Sequence, residues 1–155
     1  MDFPFFGRTK ELALMRNLLG QSIQDGSRML VVTGRRRVGK TALIAQAFSN
    51  QPGALFFYFY VNSELSEKRN IELFWELNNQ KISNIGHYLQ PPATLSDLFK
   101  LLLELSKIQP IVFVMDEFQN IERINPAFLG DIQRQWDMHR KETKMLFVVS
   151  GSVAS

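Results

Sequence analysis

This sequence predicts an α/β fold in three layers, helices covering both faces of a mostly parallel sheet, and three observations carry that prediction. Four short apolar runs, Met29–Thr33, Ala54–Val61, Ile111–Met115 and Met145–Val149, have the length and composition of strands. Between them lie stretches whose apolar residues recur at helical spacing, and strands alternating with helices favour parallel pairing, both faces covered. A glycine-rich loop joins the first strand to the next helix, at Gly34-Arg35-Arg36-Arg37-Val38-Gly39-Lys40-Thr41.

Size and composition bound the rest. At 155 residues the chain has the length of one domain with a single core, and 45% hydrophobic with 21% charged residues is ordinary for a soluble globular chain. The net charge is +3 and the pI 9.3. Part of the basic excess sits in the loop, as Arg35, Arg36 and Arg37, and part on one helix and its exit, as Arg134, Arg140, Lys141 and Lys144. That distribution reads as a solvated face rather than a nucleic-acid footprint. With no cysteine, disulfides, thiolate metal sites and cysteine nucleophiles are excluded, and a reducing cytoplasm is the expected location. The longest apolar run, Ala54 to Val61, is far short of a membrane span, and Met1-Asp2-Phe3-Pro4 lacks the basic flank of a secretory signal.

Taken in order, Phe3 to Arg8 is an aromatic cluster broken by Pro4 and Gly7, which predicts a packed loop. Within it, Phe6-Gly7-Arg8 could offer adenine a flat apolar surface. Thr9 is expected to cap a helix carrying Leu12, Met15, Leu18 and Leu19 and ending near Gly20. The first strand is read as buried, and Thr41 to Phe48 as an apolar-faced helix. Gln51-Pro52-Gly53 is a turn, and the aromatic second strand is expected to be buried on both faces. Residues 62 to 93 suggest helix interrupted near Ser83-Asn84 and Gly86, ended by Pro91-Pro92, with His87 a packing or surface residue. Thr94 with Asp97 forms a capping signal for a helix striped by Leu95, Leu98, Phe99, Leu102 and Leu105 and stopped by Pro110. Asn125-Pro126 is expected to open a helix running to about Arg140, before the last strand ends in Ser150-Gly151-Ser152.

The loop fits the phosphate-binding pattern G-x-x-x-x-G-K-[ST] at every fixed position, and strand before, helix after is the context the pattern requires. Gly34 and Gly39 let the chain turn with no Cβ in the way, so that successive N–H groups can form a nest for phosphate oxygens. The positive end of the following helix adds to that field. Lys40 would reach the β- and γ-phosphates, and the Thr41 hydroxyl would coordinate Mg²⁺.

Directly after the third strand come two acids. Asp116 at the strand end would hold Mg²⁺, and Glu117 would take a proton from an attacking water. In a parallel sheet the carboxyl ends of strands share the edge that carries the phosphate loop, so the topology should bring the two segments together. Ser150 and Ser152 fall on the same edge, and either could place a hydroxyl near the γ-phosphate or the water.

These motifs together resemble one family. FFGRTKEL near the start, VVTGRRRVGKTALI, VMDEFQNI and a strand ending VVSGS are similar to the archaeal-type P-loop ATPases, relatives of the AAA+ and STAND groups, over nearly the whole chain. The resemblance implies a sheet ordered 5-1-4-3-2, reduced to 1-4-3-2 in a chain that stops just after the fourth strand. It implies Lys40 and Thr41 as the Walker A pair, Asp116 and Glu117 as the Walker B pair, and Ser150 or Ser152 as the sensor. Gly7 and Arg8 match the segment such proteins use around the adenine or ribose. The residues that would line the nucleotide are therefore Gly7, Arg8, Gly34, Arg35, Arg36, Arg37, Val38, Gly39, Lys40, Thr41 and Ala42. Metal would fall to Thr41 and Asp116, and catalysis to Glu117, Lys40, Ser150 and Ser152.

Full-length members look longer, with a fifth strand, a helical lid and a winged-helix region. Residues 1–155 are accordingly read as one ATPase core truncated after the sensor strand, weak or inactive alone, with an exposed first-strand edge that favours dimerisation or swapping. ATP, ADP and Mg²⁺ are the expected ligands. Two other readings stay open: an ATP-operated switch with little turnover, and an ATPase module of a DNA-associated protein whose DNA contacts lie in the missing region. The absence of an Asn-Lys-x-Asp motif disfavours a GTPase, and Glu117 directly after Asp116 disfavours a small-molecule kinase.

Overall fold

A computed structural model describes residues 4–34, 39–86 and 90–152, with side chains from residue 9 onward. Its elements are α1 (Pro4–Asp25), β1 (Arg28–Gly34), α2 (Lys40–Phe48), β2 (Leu55–Tyr60), α3 (Glu67–Gly86), α4 (Leu95–Leu105), β3 (Ile111–Asp116), a 3-10 turn (Phe118–Asn120), α5 (Ile121–Ile124), α6 (Phe128–His139) and β4 (Met145–Ser152). The sheet is parallel throughout and ordered β1-β4-β3-β2, as expected.

Strand parity sorts the core into two clusters. Phe57, Phe59, Phe113, Met115, Phe147 and Val149 point to the face covered by α3, α4 and α6, while Val112, Val114, Leu146 and Val148 face α1 and α2. Aromatic rings fill the first cluster, with Phe99 edge-on to Phe147 at 5.0 Å and Phe59 against Phe74 at 5.2 Å. On the other face Arg16 of α1 donates to the carbonyls of Gln46 (2.8 Å) and Ala47 (3.2 Å), satisfying the last turn of α2 with a cation where the helix dipole is negative.

Several expectations are corrected. The segment read as a loop is helical from Pro4, whose fixed φ suits the first turn, so Thr9 lies inside α1 rather than capping it. The helix continues through Gly20 and ends before Gly26, at φ 113, where a Cβ would lie 2.5 Å from the Arg140 carbonyl oxygen. β1 is buried on neither face: Met29 is 46% and Val31 59% exposed, because β1 is a sheet edge that pairs, among the described residues, with β4 alone. β2 is the opposite edge, and only Phe57 and Phe59 of its aromatics are buried.

The helix over 62–93 is unbroken from Glu67 to Gly86, its polar residues bonding their own backbone, as when the Asn78 and Asn79 amides donate to the carbonyls of Phe74 and Trp75. Thr94 caps α4 as predicted, accepting from the Asp97 N–H at 3.0 Å, but the helix ends at Leu105. Asn125 does not cap α6, which starts at Phe128. Its side chain donates instead to Glu67 Oε2 at 2.9 Å, and its carbonyl accepts from the Phe128 N–H.

Candidate nucleotide site at the carboxyl edge of the sheet

Parity also builds the site. Asp116 ends β3 in phase with Val112 and Val114, so it faces the α1–α2 side, and Ser150, its register partner in β4, does the same. The helix on that side begins at the phosphate pattern. Gly39 precedes it at φ 81, ψ 26, a left-handed conformation that suits glycine, and brings no side chain to cap the first turn. Its carbonyl accepts from the Leu43 N–H at 2.9 Å. Lys40 opens α2 and is 8% exposed. Next to it, Thr41 Oγ1 donates to Asp116 Oδ2 at 2.9 Å, so the two motifs meet at one sheet edge across 75 residues of sequence.

Asp116 is 3% exposed and well supplied with donors. Oδ2 also accepts from the Tyr58 hydroxyl at 2.5 Å, and Oδ1 from the Glu117 N–H at 2.8 Å. Burial, followed by the hydrogen bond to Asp116, pushes the Tyr58 hydroxyl well above the usual tyrosine range, so it stays protonated and remains a donor. The Asp116 carbonyl accepts from Val61 N–H, and the Asn120 amide donates to the Val61 carbonyl at 2.9 Å, tying the exit of β2 to the turn after β3.

Glu117 differs. It lies beyond the strand at φ 55, ψ 47, heading the 3-10 turn Phe118–Asn120, and is partly exposed. Its Oε1 accepts from Gln119 Nε2 at 2.7 Å, and its Oε2 from the Ser152 hydroxyl at 3.4 Å. The two serines thus separate: Ser152 lies opposite Gly34 and reaches Glu117, whereas Ser150 is 1% exposed beside Asp116 and its Oγ has no hydrogen-bond partner among the described residues. A buried hydroxyl without a partner is costly, and marks a place where a ligand or water group belongs.

The structure therefore brings together Gly39, Lys40, Thr41, Asp116, Glu117, Ser150 and Ser152. Arg35, Arg36, Arg37, Val38 and His87 lie outside the described residues, as does the side chain of Arg8, while the backbone of Gly7 and Arg8 belongs to α1. Ala42 follows Thr41 in the exposed first turn of α2. Sequence reasoning missed Tyr58, Gln119 and Gly151. Tyr58 was hidden in an aromatic run that reads as core, its only signal being a hydroxyl two residues from the end of a strand. Gln119 stood in the DEFQ string without a role.

No cluster of three or more His, Cys, Asp or Glu able to hold a metal occurs among the described residues, and no described helix is long and apolar enough to cross a membrane. One carboxylate and one hydroxyl, side by side, are what a Mg²⁺ ion bound largely through phosphates and water requires of a protein.

Comparison with known proteins gives the family and the fold. The family model of an ATPase domain predominantly from Archaea matches residues 5–155. An uncharacterised protein of Methanocaldococcus jannaschii is 24% identical over 156 residues, spanning 97% of this chain and 30% of its own length. Among solved structures, the ORC2 protein of Aeropyrum pernix, determined as ADPNP and ADP complexes, superposes with a TM-score of 0.60 at 21% identity, over 94% of this chain and 41% of that one. A Walker-type ATPase of Pyrococcus abyssi gives a TM-score of 0.60 at 15% identity, over 93% and 44%. The fold is shared with both, and the chain spans less than half the length of each of these proteins.

Proposed function

Because the chain belongs to the ATPase domain family found predominantly in Archaea, we propose that it is the nucleotide-binding core of an enzyme that hydrolyses ATP to ADP and phosphate with Mg²⁺. The observation that carries this reading is the Thr41–Asp116 hydrogen bond, which puts a helix-opening hydroxyl of the phosphate pattern on the carboxylate at the end of β3. Glu117 stands one residue further, outside the buried cluster.

In this reading the loop from Gly34 through Arg35, Arg36, Arg37 and Val38 to Gly39 wraps the phosphates with its amides. Lys40 supplies a point charge to the β- and γ-phosphates, and Ala42 belongs to the helix turn beneath them. Gly7 and Arg8 attend the adenine or ribose. Thr41 and Asp116 would hold Mg²⁺, which when bound neutralises charge on the β- and γ-phosphate oxygens. Tyr58 keeps Asp116 in place by donating to the oxygen that Thr41 also uses. Glu117 accepts a proton from the water that attacks the γ-phosphorus, as the bond from that phosphorus to the ADP oxygen breaks. Ser150, buried with a hydroxyl that has no partner among the described residues, and Ser152, touching Glu117, are the candidate sensors of the γ-phosphate.

Binding and turnover separate the roles. In the full-length protein, titration calorimetry with ATP and Mg²⁺ should show affinity lost in Lys40→Ala and kept in Glu117→Gln, while phosphate release is lost in both. Unchanged affinity in Lys40→Ala would remove the phosphate site, and unchanged turnover in Glu117→Gln would remove the base. Tight ATP binding without turnover by the wild type would favour a nucleotide-operated switch.

A further inference from the structure

The turn after β3 and the end of β4 are joined by contacts that phosphate binding does not require, and they converge on one carboxylate. Gln119 Nε2 donates to Glu117 Oε1 at 2.7 Å. The other end of the same amide lies over Gly151, where an added Cβ would stand 2.6 Å from Gln119 Oε1, closer than such atoms approach. Only a residue without a side chain leaves that room. Ser152 completes the arrangement at 3.4 Å from Glu117 Oε2.

We propose that Gln119 is a positioning residue for Glu117, and that Gly151 is the gap in β4 that admits it. The inference rests on Glu117 being the base. Glu117 needs such help because it stands past the strand and partly exposed, outside the buried cluster around Asp116. Proton transfer requires the carboxylate within hydrogen-bond reach of the water, and a displacement of about 1 Å can cost on the order of 10²-fold in rate. A neutral amide suits the task. It occupies one of the roughly four lone-pair sites of the carboxylate and leaves the others for a proton, without adding the positive charge that a lysine would bring.

Two variants and one spectroscopic signature test this in the full-length protein. Gln119→Met keeps the length and removes the donor. Gly151→Ala pushes against the movable end of the Gln119 side chain rather than against backbone, so the fold should tolerate it. In each, kcat should fall by about 10- to 100-fold while the ATP dissociation constant stays within about twofold, since the phosphate contacts are untouched. In protein labelled with ¹⁵N-glutamine, the Gln119 side-chain amide resonance should move in Glu117→Ala and in Gly151→Ala. A resonance indifferent to Glu117→Ala would show that the contact is absent and overturn the proposal, whatever the turnover. Wild-type kcat in Gln119→Met beside a dead Glu117→Gln would overturn the positioning role and leave the base in place. Retained turnover in Glu117→Gln would overturn the base, and this inference with it, even where the resonance moves.

Discussion

At the end of β3, Asp116 is buried to 3% exposure and accepts hydrogen bonds from Thr41, Tyr58 and a backbone amide, whereas one residue on, Glu117 is partly exposed and its carboxylate accepts from Gln119 and Ser152. The first belongs to the sheet. Its position follows from strand parity, from register with Ser150 and Tyr60, and from the helix packed on its face. The second belongs to a turn whose backbone it strains, at φ 55 without being glycine. Under the proposed function, the difference teaches that adjacent acids divide the work: disturbing the Asp116 side chain should injure the fold as well as the site, and disturbing the Glu117 side chain chiefly the chemistry.

The largest expected effect tests the chemical half. Glu117→Gln should lower turnover by about 10²- to 10⁴-fold, the range of a positioned general base, with an unchanged urea midpoint in the nucleotide-free protein. A large drop in midpoint would break the division. Asp116→Ala should act the other way, costing about 2–3 kcal/mol of unfolding free energy because the Tyr58 and Thr41 hydroxyls lose their acceptor. A variant as stable as wild type in urea would show that the cluster holds nothing together.

Tyr58→Phe removes one donor to a carboxylate and should cost about 1–2 kcal/mol by the same measurement. Its pH dependence sharpens the point. The folded state raises the Tyr58 pKa above the ordinary tyrosine value of about 10, so the stability this group contributes is fully present below about pH 10 and lost as pH rises beyond it. Wild type should therefore lose more stability than Tyr58→Phe between pH 9 and about 11, and equal losses would remove the coupling to Asp116. The smallest effect has the opposite sign: Glu117→Gly should gain about 0.5 kcal/mol, relief of the left-handed backbone being partly offset by glycine's entropy in the unfolded chain. Thermal unfolding at a lower temperature than wild type would show that the turn carries no strain.

Much of this was legible in residue order. Gly39-Lys40-Thr41 after an apolar run, two acids after another, and Thr94 three residues before Asp97 are local patterns, and each landed where its pattern said. The errors fell where local chemistry was ambiguous. Gly20 and Ser83-Asn84 look like breaks, yet helices pass through them, since a single glycine costs a helix only about 1 kcal/mol and side-chain amides can bond to their own turn.

By itself the sequence determined the alternation of strands and helices, the glycine-and-lysine pattern ahead of α2 and the identity of the two acids, because these rest on period, backbone freedom and charge within a few residues. Tertiary structure alone decided that Thr41 and Tyr58 share one oxygen of Asp116, that β1 leaves Met29 and Val31 exposed at an edge, and that Gly151 makes room for Gln119. Those are relations between segments distant in the chain. They depend on which strand lies beside which and which face meets which helix, and no window of neighbouring residues contains that information.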